Sequence, residues 1–354
     1  MRVDVVIPYF HPPYIGGTET VLRKWDEYFA TQHIKNLEVR FVIPFAYRSN
    51  NVFNHSGNYI FGWRIFNNEL AKFIGILNLA VYLMFTKADK VIVLSPKYIA
   101  LSHRFKRIFH KHYQIINWVH FSLNQVFSTD NKQFKSADYH LAISTGIKQQ
   151  LLDMGIDRKR IFVVFNPIEK AKYQIPASQD PRYVYVGRLE YRHQKNLQEL
   201  LHGFAMLKKQ LPNASLDLWG SGQDMSKLRE LVTKLDVSQV NFKGWNKNPW
   251  SQIKSVTAFV LTSTYEGLPM SILEAISHGV PVISADILTG PSDEITGENG
   301  LLYKTGDVAE LRDEMIEVFE NRQNYRSKAM KASISKYYSK NYFANLIKIL
   351  QEMG

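Results

Sequence analysis

The sequence predicts an α/β protein built from two doubly wound, Rossmann-like parallel-sheet domains facing each other across a cleft. Three observations predict it. Short apolar runs alternate with helix-length segments in both halves, the alternation pauses once near the middle, and glycine and polar residues gather just after the apolar runs. Strand and helix alternation is the signature of parallel sheets, because parallel neighbours need a crossover between them. A length of 354 residues suits two domains of about 150 residues each.

In chain order, residues 3–8, 39–44, 90–94, 115–119, 139–144 and 161–165 read as strands, with helices such as 18–31 and 70–85 between them. Asn166-Pro167 then opens a polar stretch that runs to Pro181 and reads as a linker. A second series begins at Tyr183. Its strands fall near 183–187, 215–219, 240–243, 256–262 and 280–284, its helices over 197–210 and 269–277, and the chain ends in helical segments after Asp307. The expected domains are therefore 1–166 and 182–334, with a C-terminal helix over 335–354 packing back toward the first.

Composition narrows the function. A 45% hydrophobic and 13% aromatic content supports packed cores and excludes a disordered chain. The absence of cysteine excludes disulfides and cysteine metal sites and fits a reducing cytoplasm. No basic leader followed by an apolar signal segment precedes the first strand. The longest apolar run, 73–85, is shorter than the roughly 20 residues of a spanning helix. It is expected to be a buried helix, with a membrane-dipping one as the alternative.

Charge is uneven. Residues 1–165 hold 21 Lys and Arg against 11 Asp and Glu, a net +10, whereas the remainder holds 23 against 21. This asymmetry predicts an anionic partner for the first half. The densest stretch, 97–112, carries Arg104, Lys106, Arg107 and Lys111 beside an apolar stripe of Tyr98, Leu101, Phe105 and Ile108. Two readings stand: an interfacial helix on an anionic membrane surface, or a surface helix whose stripe packs on its own domain. No recognition motif accompanies the charge, so no nucleic-acid partner is expected.

The most informative segment is 262–281, TSTYEGLPMSILEAISHGVP. A strand ends, a Glu-Gly-Leu-Pro turn follows, and a helix begins near Pro269, whose missing N–H is not needed in a first helical turn. Backbone N–H groups at such a start suit phosphate. Glu266 and Glu274 are eight apart. Either both carboxylates face a ligand, where they suit sugar hydroxyls, or Glu266 caps the helix and Glu274 is solvated.

This segment resembles the Glu–seven–Glu motif of the family 4 retaining glycosyltransferases, which have the GT-B fold. The likeness covers nearly the whole chain and is most specific over 183–303. It implies that Glu266 contacts the transferred sugar and Glu274 the ribose, while backbone amides around Gly267, Leu268, Met270 and Ser271 hold sugar and phosphate oxygens. It further implies that Arg188, in Tyr185-Val186-Gly187-Arg188-Leu189, and Lys195 neutralise the diphosphate. Tyr191-Arg192-His193-Gln194 lengthens the approach to Lys195 relative to the family pattern, so Arg192 is a further candidate for that role. Gly16-Gly17, after His11-Pro12-Pro13-Tyr14, matches the family's glycine loop. Gly220 and Gly222 match the loop near the nucleotide. Gly244-Trp245 matches the segment flanking the base, with Trp245 either stacked on it or buried. His120, ending the Asn117-Trp118-Val119-His120 strand, matches the histidine near the hexose primary hydroxyl.

No two aspartates are separated by one residue and no His-Glu-X-X-His occurs, so no metal site is expected. No cofactor is expected either; a nucleotide diphosphate-sugar, by resemblance a UDP-hexose, is the substrate. Gly244-Trp245 with Asn248-Pro249-Trp250, and Thr289-Gly290-Pro291-Ser292-Asp293-Glu294, are most similar to lipopolysaccharide α-1,6-galactosyltransferases. That likeness implies UDP-galactose as donor and a lipid-linked, lipopolysaccharide or surface-polysaccharide glycan as acceptor. The first domain would lie on the acceptor and membrane side, the second would bind nucleotide sugar, and the protein would be peripheral on the inner face of the cell membrane. The alternatives are UDP-glucose or UDP-N-acetylglucosamine as donor, another GT-B enzyme such as a sugar-nucleotide epimerase, and a non-catalytic partner subunit.

Overall fold

Among the described residues every sheet pairing is parallel. The computed structural model describes residues 1–7, 16–32, 34–45, 59–61, 69–126 and 132–353. They form two compact units, one of Met1–Val164 with Lys348–Gly354 and one of Phe165–Ile347.

In the first unit the strands are β1 (Arg2–Val6), β2 (Glu38–Ile43), β3 (Tyr59–Phe61), β4 (Lys90–Val93), β5 (Gln114–Val119), β6 (Tyr139–Ala142) and β7 (Ile161–Val163). Their spatial order is β3-β2-β1-β4-β5-β6-β7. The helices are α1 (Gly17–Thr31), α2 (Glu69–Phe85), α3 (Pro96–Ile108), α4 (Leu123–Val126) and α5 (Thr145–Asp153). β4 is buried at all four positions, as expected for a strand covered on both faces. Asp4 is fully buried in the middle of β1. Its carboxylate accepts from Arg40 Nε and Nη2 at 2.8 and 2.6 Å, from Tyr82 Oη at 2.5 Å and from Thr86 Oγ1 at 3.1 Å. A charge so far from water persists only with such partners, and this set ties β1, β2 and α2 together.

The second unit contains β8 (Arg182–Val186), β9 (Ser215–Trp219), β10 (Val240–Gly244), β11 (Ala258–Leu261), β12 (Val282–Asp286) and β13 (Gly300–Lys304), ordered β10-β9-β8-β11-β12-β13. Numbered within the unit this is 3-2-1-4-5-6, the dinucleotide-binding order. The helices are α6 (Leu197–Lys208), α7 (Met225–Lys234), α8 (Met270–Ser277), α9 (Pro291–Glu294), α10 (Val308–Glu320), α11 (Ser327–Ser333) and the first part, to Ile347, of α12 (Ser339–Glu352). Residues 167–181, polar enough to read as a linker, lie along this unit. Ile168 bridges Tyr338, Ala177 bridges Val256, and Ile175 N–H donates to His278 O at 2.9 Å. The last residues belong to the first unit, where Lys90 Nζ donates to Met353 O.

Two expectations need correction. β3 and β13 are strands that the apolar pattern did not mark. The 73–85 helix is buried on one face only: Leu79 and Leu83 are fully buried, but Phe73 is 65% and Phe85 71% exposed. The 97–112 stretch also resolves. Tyr98 and Ile99 of α3 are buried, Lys106 pairs with Asp138 at 2.8 Å, and Ile108 stays exposed. Its stripe is thus partly core.

Candidate active site

In an open parallel sheet the ligand crevice lies beyond the C-terminal ends of the strands, at the point where strand order reverses. In the second unit that point is between β8 and β11, which are neighbours. Two segments meet there: 187–195 after β8 and 262–266 after β11. Thr264 N–H donates to Gln194 O at 2.8 Å and Thr262 Oγ1 to Lys195 O at 3.0 Å, which locks the two together.

The side chains on these segments form one connected cluster. Lys195 Nζ meets Glu266 Oε1 at 2.5 Å, with only 15% and 9% of the two side chains exposed. Gln194 Nε2 donates to Glu266 Oε2 at 3.1 Å and to Tyr265 O at 3.2 Å. Its Oε1 accepts from Arg188 Nη2 at 2.6 Å. Arg188 also pairs with Glu190 at 2.8 Å and remains 61% exposed. Both sequence-assigned cations therefore stand at one place, joined through Gln194. In the sequence pattern Gln194 stands out only as added length before Lys195. Arg192 does not join them: its Nε donates to Gln198 at 3.0 Å and its guanidinium lies 5.5 Å from the Tyr191 ring centroid.

Glu274 lies in α8, one helix turn after Met270 and Ser271 at its start. Pro269 is the residue before the helix rather than its first residue. Glu274 Oε2 accepts from Trp250 Nε1 at 2.9 Å. Trp250 is buried, with the Phe259 and His278 rings at centroid distances of 5.9 and 5.6 Å. The carboxylate is thus held by a fixed indole rather than merely solvated. Gly267 and Leu268 are buried in the turn leading to α8, and Met270 and Ser271 are half-buried.

The glycines of the nucleotide-loop motif have a packing reason. A Cβ on Gly220 would come within 1.8 Å of Gly187 O, and one on Gly222 within 2.0 Å of Leu189 O. Gly187 N–H donates to Trp219 O at 2.9 Å, Leu189 N–H to Ser221 O at 3.0 Å and Gly220 N–H to Gly244 O at 2.9 Å, so the loops after β8, β9 and β10 are laced together. Trp245, at their edge, is 57% exposed, which settles it as unburied.

Glu294 is a further buried group. It is 1% exposed, and neither carboxylate oxygen has a hydrogen-bond partner among the described residues. Burial, with the nearby charges of Asp293 and Glu266, pushes its pKa well above the carboxylate range and so favours the neutral acid.

In the first unit Gly16 is the N-terminal cap of α1 and Gly17 its first residue. His11, Pro12, Pro13 and Tyr14 lie outside the described residues. His120 directly follows β5 and is 7% exposed. Its Nε2 has no hydrogen-bond partner among the described residues, and its ring packs on Trp118 at a centroid distance of 4.3 Å. Burial pushes its pKa down to about 3, so the imidazole is neutral.

A switch-point cluster of lysine, arginine and glutamate on a doubly wound sheet suits a phosphorylated, hydroxylated ligand, and the relatives agree. Residues 167–336 match the family Glycosyl transferases group 1. A lipopolysaccharide 1,6-galactosyltransferase of Salmonella typhimurium strain LT2 is 34% identical over 279 residues, 76% of each chain. One of Escherichia coli K12 is 36% identical over 245 residues, 67% of each. The apo form of the lipopolysaccharide outer core galactosyltransferase WaaB has a TM-score of 0.86 at 28% identity, covering 99% of both chains. Anabaena HepE in complex with UDP has a TM-score of 0.80 at 17% identity, covering 99% of this chain and 100% of that one. The protein is a glycosyltransferase of the GT-B fold. It belongs to the group 1 glycosyl transferases.

Proposed function

We propose that this protein transfers galactose from UDP-galactose, with retention of configuration and without a divalent metal, to a hydroxyl of a lipopolysaccharide-type, lipid-linked glycan at the inner face of the cell membrane. The Arg188–Gln194–Glu266–Lys195 cluster at the switch point carries this reading. Lys195 has three ammonium donors, so it can keep Glu266 and still reach a phosphate oxygen. Arg188, exposed beside it, supplies the second cation. Together they offset the charge that appears on the leaving diphosphate, work that a metal does in other transferases. Glu266 then accepts from a hexose hydroxyl, Glu274 accepts from the ribose, and neutral His120 contacts the hexose. The backbone amides of Gly267, Leu268, Met270 and Ser271 take sugar and phosphate oxygens. Gly16-Gly17 approaches phosphate, and Gly220, Gly222, Gly244 and Trp245 line the nucleotide side.

By the family resemblance, the bond from the anomeric carbon to the diphosphate oxygen breaks and the acceptor oxygen bonds on the same face. The acceptor proton passes to the departing diphosphate, leaving UDP and a galactoside. Chemistry then rests on positioning and electrostatics. The test supplies purified protein with UDP-galactose, UDP-glucose and UDP-N-acetylglucosamine in excess EDTA. Transfer of galactose with an α-linked product is expected. A β-linked product, or activity restored only by manganese or magnesium, refutes the retaining, metal-free reading, and preference for another donor refutes the galactose assignment.

A further inference from the structure

The first unit carries an apolar surface with no role in the chemistry above. α2 has no charged residue from Phe73 to Phe85. Its inner face is tied down by Leu79, Leu83, the Tyr82–Asp4 bond and the donation from Asn78 Nδ2 to Pro44 O at 3.0 Å. Its outer face leaves Phe73 65%, Ile76 47%, Leu77 53%, Val81 47% and Phe85 71% exposed. Steps of three and four residues put these five on one side of the helix. Soluble proteins rarely leave so continuous an apolar strip in water.

Charge says what covers it. A groove of about 620 Å³ is lined by Leu77, Val81 and Phe85 together with Arg2, Arg40 and Lys87. Arg2 Nε is buried, with no hydrogen-bond partner among the described residues. Lys87 also borders a second cavity, of about 870 Å³, together with His110, Lys111 and His112. The stripe thus ends beside Arg2, Lys87 and Lys111, with Asp89 the one acid among the described residues lining these two cavities, on the half of the chain whose net charge is +10. A second copy docked stripe to stripe would bring two such cationic rims together, whereas lipid phosphates would neutralise them. α2, with 17 residues, is about 25 Å long at roughly 1.5 Å per residue, and no helix of the described residues is long and apolar enough to cross a membrane. An in-plane position is what remains for an apolar face of this length.

We propose that α2 docks this protein on an anionic phospholipid bilayer, its Phe73–Phe85 face entering the acyl boundary while Arg2, Lys87 and Lys111 meet lipid phosphates. The proposal deepens the membrane-side reading above and rests on it. It moves the contact from α3, whose Lys106 is paired and whose Tyr98 is buried, to α2.

The chain has no cysteine, so single probes can be placed cleanly. Full-length Leu77→Cys, Val81→Cys and, on α3, Arg107→Cys proteins carrying an environment-sensitive fluorophore are mixed with vesicles of phosphatidylethanolamine and phosphatidylglycerol, or of phosphatidylcholine alone. Blue-shifted, brighter emission is expected at 77 and 81 with the anionic vesicles only, and not at 107. In co-sedimentation, Leu77→Asp with Val81→Asp, and separately Lys87→Glu with Lys111→Glu, should each weaken binding about tenfold or more. Unchanged melting temperature checks folding. If the Asp variant misfolds, the cysteine probes decide. Wild-type binding with dry probes only at 107 overturns the α2 assignment and leaves the membrane reading standing; no wild-type binding removes both. Equal binding to neutral vesicles overturns the lipid-phosphate contacts. A dimer in sedimentation velocity that Leu77→Asp with Val81→Asp dissolves assigns the stripe to a second copy instead.

Discussion

The two units place their marker residues alike and hold them by opposite means. Glu266, after β11, is a charge surrounded by donors, with Lys195 at 2.5 Å and Gln194 at 3.1 Å. His120, after β5, has no partner for Nε2 among the described residues and is fixed by the Trp118 ring. A buried carboxylate must be satisfied to exist, so its surroundings are set before any ligand arrives. A neutral imidazole can be held by packing alone and keep its hydrogen-bonding edge for a ligand. The segment after β11 is therefore preorganised by polar bonds, the one after β5 by shape.

The largest expected effect tests that contrast within the second unit. In the proposed reading Glu266→Ala removes an acceptor next to the reacting sugar, and it leaves Lys195 without its Glu266 partner. It should lower kcat about 10²–10³-fold, with little change in UDP affinity, because UDP lacks the sugar. Glu274→Ala should instead raise the donor KM and weaken UDP itself, about tenfold for one charge-assisted hydrogen bond, with kcat near wild type. Calorimetry with UDP and steady-state kinetics on both folded variants separate the two. If Glu266→Ala loses UDP affinity as severely as Glu274→Ala, the two roles are misassigned.

A smaller effect tests the first unit through pH. Burial pushes both His120 and His140 down to about 3 from an ordinary 6.5. The unfolded chain therefore binds protons that the folded one refuses. Stability from these neutral rings is complete above about 6.5 and is lost as pH falls toward 3. Hydrogen exchange followed by mass spectrometry should show residues 115–120 and 139–142 losing protection between pH 7 and pH 5. His140→Phe should blunt the loss. Protection that holds steady down to pH 4.5 would rule out the packed, neutral imidazoles described here.

What the sequence revealed follows the same division. Strand and helix alternation gave both sheets, because buried parallel strands are short apolar runs whatever their neighbours. By themselves Arg188 and Lys195 read as surface charge; the Glu266, Lys195 and Arg188 cluster was legible through the family resemblance. Gln194 and Trp250 were not. The bonds from Gln194 to Glu266 and from Trp250 to Glu274 join residues 72 and 24 apart in sequence, and only the fold brings them together. β13 was hidden because Gly300–Lys304 is five residues with a half-exposed centre. α2 misled because an almost uncharged helix reads as buried all round, whereas here one face was left open.

The smallest effect sharpens the comparison by reversing its sign. Glu294 is to the second unit what His120 is to the first, a buried group whose neutral form desolvation favours, but as a carboxyl it responds oppositely. Its folded pKa lies well above 4.5. Above that value the unfolded chain releases a proton that the folded one retains. Stability therefore falls as pH rises from about 4.5 toward the folded pKa, where the first unit over the same acid range is gaining. Glu294→Gln keeps the shape and removes the titration. Its melting temperature should match wild type near pH 5 and exceed it by a few degrees at pH 8, at roughly 2–4 °C per kcal/mol for a unit of this size. Scanning both proteins from pH 5 to pH 8 reads this directly. A Gln variant that is less stable by the same margin at every pH would mean that Glu294 is held by a partner rather than by desolvation, and the opposition between the units would fail.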